Sequence, residues 1–122
     1  MAKIILIIED DDFLQGLEAK KLKKEGYNVL TASNSIEVFK IINGDTRPDM
    51  ILLDLLLPDV DGFSILKKIR ENEALKNIPV IVFSNLSEEK DITEANKLGI
   101  SDFMIKSNFT LDELAQKIKL FI

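Results

Sequence analysis

Short apolar runs of Ile, Val and Leu recur along the chain, separated by longer amphipathic stretches that stop at Gly or Asn-Gly. Ile4 to Ile8 is apolar without alternation, the pattern of a strand covered on both faces. Phe13 to Glu25 reads as a helix with Phe13, Leu17 and Leu22 near one face, its lysines late, and a stop at Gly26. Asp11 or Asp12 caps its start.

The same unit recurs four more times. Tyr27 to Thr31 is a second strand, followed by a Ser33-Asn34-Ser35 cap and a helical stripe of Ile36, Val38, Phe39 and Ile42 that ends at Asn43-Gly44. Met50 to Leu53 is a third strand. The spacing predicts a helix from about Phe63 to Glu71, with Phe63, Leu66 and Ile69 inward and Lys67, Lys68 and Arg70 outward. Ile78 to Phe83 is a fourth strand entered through Pro79, and Ser87 caps a helix through Leu98 that stops at Gly99. Phe103 to Ile105 lies in the last strand, and Thr110 with Glu113 makes a capping box for a helix to Ile122. Five strands alternating with five helices predict an α/β fold, a doubly wound parallel sheet with helices on both faces. In such folds ligands bind beyond the carboxyl ends of the strands.

Composition narrows the chemistry available there. The 122 residues suffice for one domain, 1–122, and contain no Cys and no His. Disulfides, thiolate nucleophiles, imidazole bases and ordinary zinc sites are thereby excluded. A net charge of -5 argues against a nucleic-acid backbone or an anionic membrane as the main partner. The apolar run at the N-terminus is too short for a signal peptide or a spanning helix, so a cytoplasmic location is expected.

Carboxylates, a hydroxyl and an amine mark the predicted strand ends: Glu9, Asp10 and Asp11 after the first, Asp54 after the third, Ser84 after the fourth and Lys106 after the fifth. A parallel sheet brings them to one edge. Carboxylates gathered there repel one another unless a hard cation joins them, and Mg2+ prefers such oxygen ligands. Asp54 beside a divalent ion and a lysine suits phosphoryl transfer, with the cations neutralising charge on the group the carboxylate attacks. Singly, each residue reads as a helix-start acid, a turn acid, a loop hydroxyl or a solvated lysine. Their coincidence at four strand ends is what points to a site.

These residues resemble the receiver domain of two-component response regulators, and are chemotaxis-regulator-like, over essentially the whole chain. The carriers are Ile5 to Asp11 (I-L-I-I-E-D-D), Asp54 to Gly62 (D-L-L-L-P-D-V-D-G), Ser84, and Asp102 to Lys106 (D-F-M-I-K). The resemblance implies a flavodoxin-like strand order 2-1-3-4-5 and a phosphoacceptor at Asp54. It implies Mg2+ held by Glu9, Asp10, Asp54 and the backbone carbonyl of Leu56, with Ser84 and Lys106 on the phosphoryl group and Phe103 as switch aromatic. The phosphodonor is then a sensor histidine kinase or phosphotransfer protein. The output is a downstream protein or domain, met through a changed Ser87 to Ile122 surface. The last two helices offer a homodimer face. No direct nucleic-acid or membrane contact is expected, and no enzymatic role beyond catalysing its own phosphorylation and slow dephosphorylation.

Several positions depart from the family pattern. Ser107 stands where Pro, often with a cis bond, usually follows the lysine. A cis bond before a non-proline costs about 2.5–4 kcal/mol, and the Lys106–Ser107 peptide is left open to either isomer. Asn85 is larger than the usual Ala or Gly and would narrow access to the site. Leu56 and Leu86 occupy the positions that influence phosphoryl lifetime in the family, and two apolar side chains cannot orient water, so autodephosphorylation is expected to be slow. Asn85 and Ser107 also favour a rival reading, a pseudo-receiver that binds partners without phosphorylation. A third reading is a phosphohydrolase with Asp59 as nucleophile, because Asp59-Val60-Asp61-Gly62 is similar to the D-x-D-G motif of haloacid dehalogenase-like phosphatases. With nothing after Ile122, the chain reads as a freestanding regulator or as a fragment of a larger one.

Overall fold

A computed structural model describes residues 2–122, and its elements follow from the apolar runs. The strands are β1 (Ile4–Ile8), β2 (Asn28–Ala32), β3 (Met50–Leu53), β4 (Val80–Ser84) and β5 (Asp102–Ile105). All neighbours are parallel, in the order β2-β1-β3-β4-β5. This is the doubly wound, flavodoxin-like arrangement, in which the chain reverses direction across the sheet between β1 and β3. The helices are α1 (Asp12–Lys24), α2 (Ser35–Ile42), α3 (Gly62–Glu71), α4 (Glu89–Lys97) and α5 (Leu111–Lys119).

Alternate residues of the inner strands feed two cores, as the period of two requires. Leu6, Ile8, Ile51, Leu53, Val80 and Val82 pack with Val38, Phe63, Leu66, Ile69 and Ala95 from α2, α3 and α4. Ile5, Ile7, Met50, Leu52, Ile81 and Phe83 pack with Ala19, Leu22, Leu114, Ala115 and Ile118 from α1 and α5. Helix ends follow local chemistry. Asp11, Asn34, Asp61 and Thr110 accept backbone N–H groups of the first turns, and Thr110 with Glu113 completes the capping box. Gly26, at φ 97°, turns the chain out of α1 in a conformation that side chains resist.

The structure corrects several boundaries and faces. Strand β4 begins at Val80, one residue after Pro79, whose carbonyl accepts the Ile51 amide of β3 at 3.0 Å, and β2 runs one residue later than its apolar run suggests. Helix α4 begins at Glu89 after Glu88, a cap whose side chain makes no hydrogen bond to the first turn, so Ser87 is not its cap, and α5 ends at Lys119 rather than Ile122. On α1 the inward side chains are Glu18, Ala19 and Leu22, while Phe13 and Leu17 face solvent. Ile36 is likewise exposed, because α2 turns Ser35 and Val38 inward instead. Arg70 is half-buried rather than outward. Its guanidinium donates to the carbonyls of Ile78 at 2.9 Å and Gly99 at 2.6 Å, among others, tying α3 to the turns that follow α3 and α4. Among the described residues no helix is long and apolar enough to cross a membrane.

Candidate functional site

Register delivers the polar strand ends to one edge. Ile8 pairs with Leu53 and Ser84 with Ile105, so Glu9, Asp54, Ser84 and Lys106 emerge side by side. Glu9, Asp54 and Ser84 are buried; Asp10 is exposed at the rim. One oxygen of Asp54, Oδ1, accepts the Ser84 hydroxyl at 2.7 Å and the Leu56 amide at 2.9 Å. The other, Oδ2, accepts the Lys106 ammonium at 2.5 Å. Lys106 also donates to Oε1 of Glu9, whose Oε2 takes the Asp11 amide at 3.1 Å. Gln15 braces the same loop, its amide donating to the Glu9 carbonyl at 2.8 Å and to Ser33 Oγ at 3.1 Å.

The electrostatics follow from this packing. Burial lifts the Glu9 carboxyl above its usual range, and the bond from Lys106 only partly offsets it. Burial alone would lower the Lys106 ammonium, but its bonds to Asp54 and Glu9 outweigh it and raise the group, which stays charged. Oxygens of Glu9, Asp10 and Asp54 lie within 4.8 Å of one another. Three carboxylates against one ammonium leave the cluster negative, and an all-oxygen donor set with one member at the solvent rim fits a hard divalent ion that keeps some of its water.

The loop after Asp54 is held by the turn that ends it. Gly62 donates its N–H to the Leu55 carbonyl at 3.2 Å, and a Cβ at Gly62 would run into the Leu55 backbone, so only glycine permits this closure. Leu56 bridges to Asp61 and is itself exposed. Phe103 is half-buried on β5, beside Val82 and against the core of the α2–α4 face. There are no cis peptides among the described residues, so Lys106–Ser107 is trans, and Ser107 is the middle residue of a short 3-10 turn, Lys106–Asn108.

Asp59 is not part of the cluster. Its carboxylate accepts the Ser35 hydroxyl at 2.6 Å and the Ser35 amide at 3.1 Å, which assigns it to the start of α2. Three residues carry weight here that the pattern of the sequence did not single out: Gln15 as a brace, Arg70 as a tie, and Glu18. Glu18 is buried beneath the site with Oε1 unpartnered. Burial, with Glu9 adding repulsion, pushes its carboxyl up to about 8. Its place four residues before the inward Leu22 is the signal that would have found it.

An acidic, lysine-braced cluster at the strand ends of a 2-1-3-4-5 sheet defines a class, the signal-receiving modules of the flavodoxin-like fold. The family model of the response regulator receiver domain matches residues 5–119, and the chain belongs to that family. The transcriptional regulatory protein KdpE of Staphylococcus aureus is 42% identical over 119 residues, covering 98% of this chain and 49% of its own length. Sporulation initiation phosphotransferase F of Bacillus subtilis is 32% identical over 122 residues, covering 100% of this chain and 95% of its own. The solved structure of the phosphorylated cyanobacterial phytochrome response regulator RcpA matches with a TM-score of 0.83 at 32% identity, over 98% of this chain and 90% of that one. The chain spans about half the length of KdpE and of several other curated relatives, which are named as transcriptional regulators. The expectation of no direct nucleic-acid contact therefore concerns these 122 residues alone. As a receiver domain the chain is a signalling module of two-component systems rather than a classical enzyme, from a family that generally binds Mg2+.

Proposed function

We propose that this chain is a phosphorylation-operated switch whose phosphoacceptor is Asp54. The carrying observation is that Asp54 sits in the acidic cluster with its two oxygens held from two different strand ends, Oδ1 by Ser84 at the end of β4 and Oδ2 by Lys106 just beyond β5. An Asp54 oxygen attacks the phosphorus of a phosphohistidine on a sensor kinase or phosphotransfer protein. The P–O bond forms as the P–N bond breaks, the electron pair of the broken bond stays on the imidazole nitrogen, and that nitrogen takes a proton from water. Lys106 and Ser84 stabilise the transferring phosphoryl oxygens. Glu9, Asp10, Asp54 and the Leu56 carbonyl would hold Mg2+, which when bound neutralises phosphoryl charge.

The phosphoryl group brings about -1.5 to -2 charges at pH 7. Ser84 turns from the carboxylate toward it, and Phe103, half-buried beside Val82, turns further inward into the space this opens. Having no hydroxyl, Phe103 needs no polar partner there. The Ser87 to Ile122 surface then differs between the two states, and that difference is what an output protein or domain binds.

Intact mass after incubation with acetyl phosphate, with and without Mg2+, tests this on wild type and Asp54→Asn. One Mg2+-dependent phosphoryl adduct, lost in the variant, is expected. No adduct, under conditions that label another receiver, would instead favour a binding module that works without phosphorylation. An adduct that depends on Asp59 would restore the phosphohydrolase reading.

A further inference from the structure

We infer that Asn85 is a positioning residue for Lys106, joining the two arms that grip Asp54 through its hydrogen bond to Ser107. The inference rests on the reading of Asp54 and Lys106 as the reacting pair. Its basis is a closed ring of contacts: Ser84 holds Oδ1 of Asp54, Lys106 holds Oδ2, and the residues next in chain are bonded to each other. Asn85 Oδ1 accepts the Ser107 amide at 3.1 Å. Each half of this bond is a departure noted in the sequence. An Ala or Gly at 85 would have no acceptor, and a Pro at 107 would have no N–H to donate.

Lys106 needs such a restraint. The β4–β5 ladder ends at Ser84 and Ile105, so Lys106 lies one residue beyond the sheet. The 3-10 turn that follows is closed from the Phe109 amide to the Lys106 carbonyl, and at 3.4 Å that bond is long. The bond to Asn85 is shorter and reaches across to β4, whose frame is fixed by the core. Ser84 and Lys106 are thereby held at a set separation while both grip Asp54. A phosphoryl group drawing on Ser84 acts on the Lys106 loop as well, through one amide-to-backbone bond.

Lys106 acylation reads this directly in the unphosphorylated protein. Wild type, Asn85→Ala and Asn85→Asp, which keeps the acceptor, are treated with N-acetoxysuccinimide, and the Lys106 peptide is compared with that of exposed Lys20. Asn85→Ala should raise the relative acylation of Lys106 by about two- to tenfold, the range one net hydrogen bond supports, and Asn85→Asp should restore protection. Labelling of Asp54 by acetyl phosphate with Mg2+ should slow by a similar factor in Asn85→Ala, with unfolding temperature little changed. Unchanged Lys106 acylation in Asn85→Ala would overturn the inference, as would a loss of protection shared equally by lysines across the protein. If wild type accepts no phosphoryl group, the phosphoacceptor reading fails, while the acylation comparison still decides whether Asn85 positions Lys106.

Discussion

Asp59 and Ser35, far apart in sequence, meet where the loop after β3 touches the first turn of α2: the Asp59 carboxylate accepts both the hydroxyl and the amide of Ser35. The Ser35 bonds hold the Asp59 carboxyl below its usual range, so its contribution to stability is present at neutral pH and is lost as pH falls below about 4. Asp59→Ala should lower the thermal midpoint at pH 7 and leave Asp54 labelling intact. Retained stability with lost labelling would place Asp59 in the chemistry after all.

Glu18 gives the opposite pH dependence. Its carboxyl, raised to about 8 by burial, keeps its proton in the folded chain at neutral pH, whereas the unfolded chain releases it near the ordinary value of 4.5. Stability from this group is full below about 4.5 and falls as pH rises to about 8. At about 1.4 kcal/mol per pKa unit the loss is on the order of 3–5 kcal/mol. Glu18→Gln cannot ionise, so the variant should overtake wild type progressively across that window in urea denaturation. Parallel pH curves for the two proteins would show that Glu18 stays charged.

Much of the fold was legible because the strands are fully covered: runs such as Ile4–Ile8 and Met50–Leu53 read the same way in the chain and in the sheet. The strand-end residues were legible for a related reason, since parallel strands of known order must bring their ends together. Faces were harder where a helix carries apolar residues on two sides. On α1, Phe13, Leu17 and Leu22 formed the more obvious stripe, yet of these only Leu22 turns inward, beside Glu18 and Ala19. Contacts between residues distant in sequence, such as Arg70 with the Gly99 carbonyl and Asn85 with Ser107, leave no periodic trace in the chain. Asn85 and Ser107 each stood out singly as substitutions; that they answer one another needed the loops in place.

Arg70 carries no acidic partner in its set of carbonyl acceptors, so its value lies in geometry rather than in charge pairing. Lysine cannot reproduce a planar fork that reaches several carbonyls at once. Arg70→Lys should therefore lose nearly as much stability as Arg70→Ala, about 2–4 kcal/mol by denaturant titration, since several part-buried carbonyls lose their donor. A lysine variant as stable as wild type would show that charge alone suffices.

Leu56 and Leu86 flank Asp54 and Ser84 with apolar side chains, Leu56 exposed and Leu86 half-buried. Neither can hold a water for attack on the acyl phosphate. The phosphoryl half-life at Asp54, followed by intact mass after removal of the donor, should be longer in wild type than in the Leu56→Asn, Leu86→Glu double variant. An equal or shorter half-life in wild type would show that water is oriented by other groups.

Lys106 and a divalent ion answer the same charge. With Lys106 between Glu9 and Asp54, the ammonium is the one cation among the described residues that touches both buried carboxylates. An ion arriving at the cluster is attracted by Glu9, Asp10 and Asp54 and repelled by Lys106. Replacing Lys106 by Met keeps most of the side-chain length and removes the charge. Two buried carboxylates are then left without their partner, which destabilises the metal-free protein by several kcal/mol. The same change removes the repulsion and should tighten Mg2+ binding about tenfold. The paired expectation for Lys106→Met is a lower thermal midpoint without Mg2+ and a larger rise on adding MgCl2 than wild type shows. Calorimetric titration with MgCl2 separates this from a general loss of packing: a variant that melts early and binds Mg2+ no more tightly would show that Lys106 and the ion do not share the cluster.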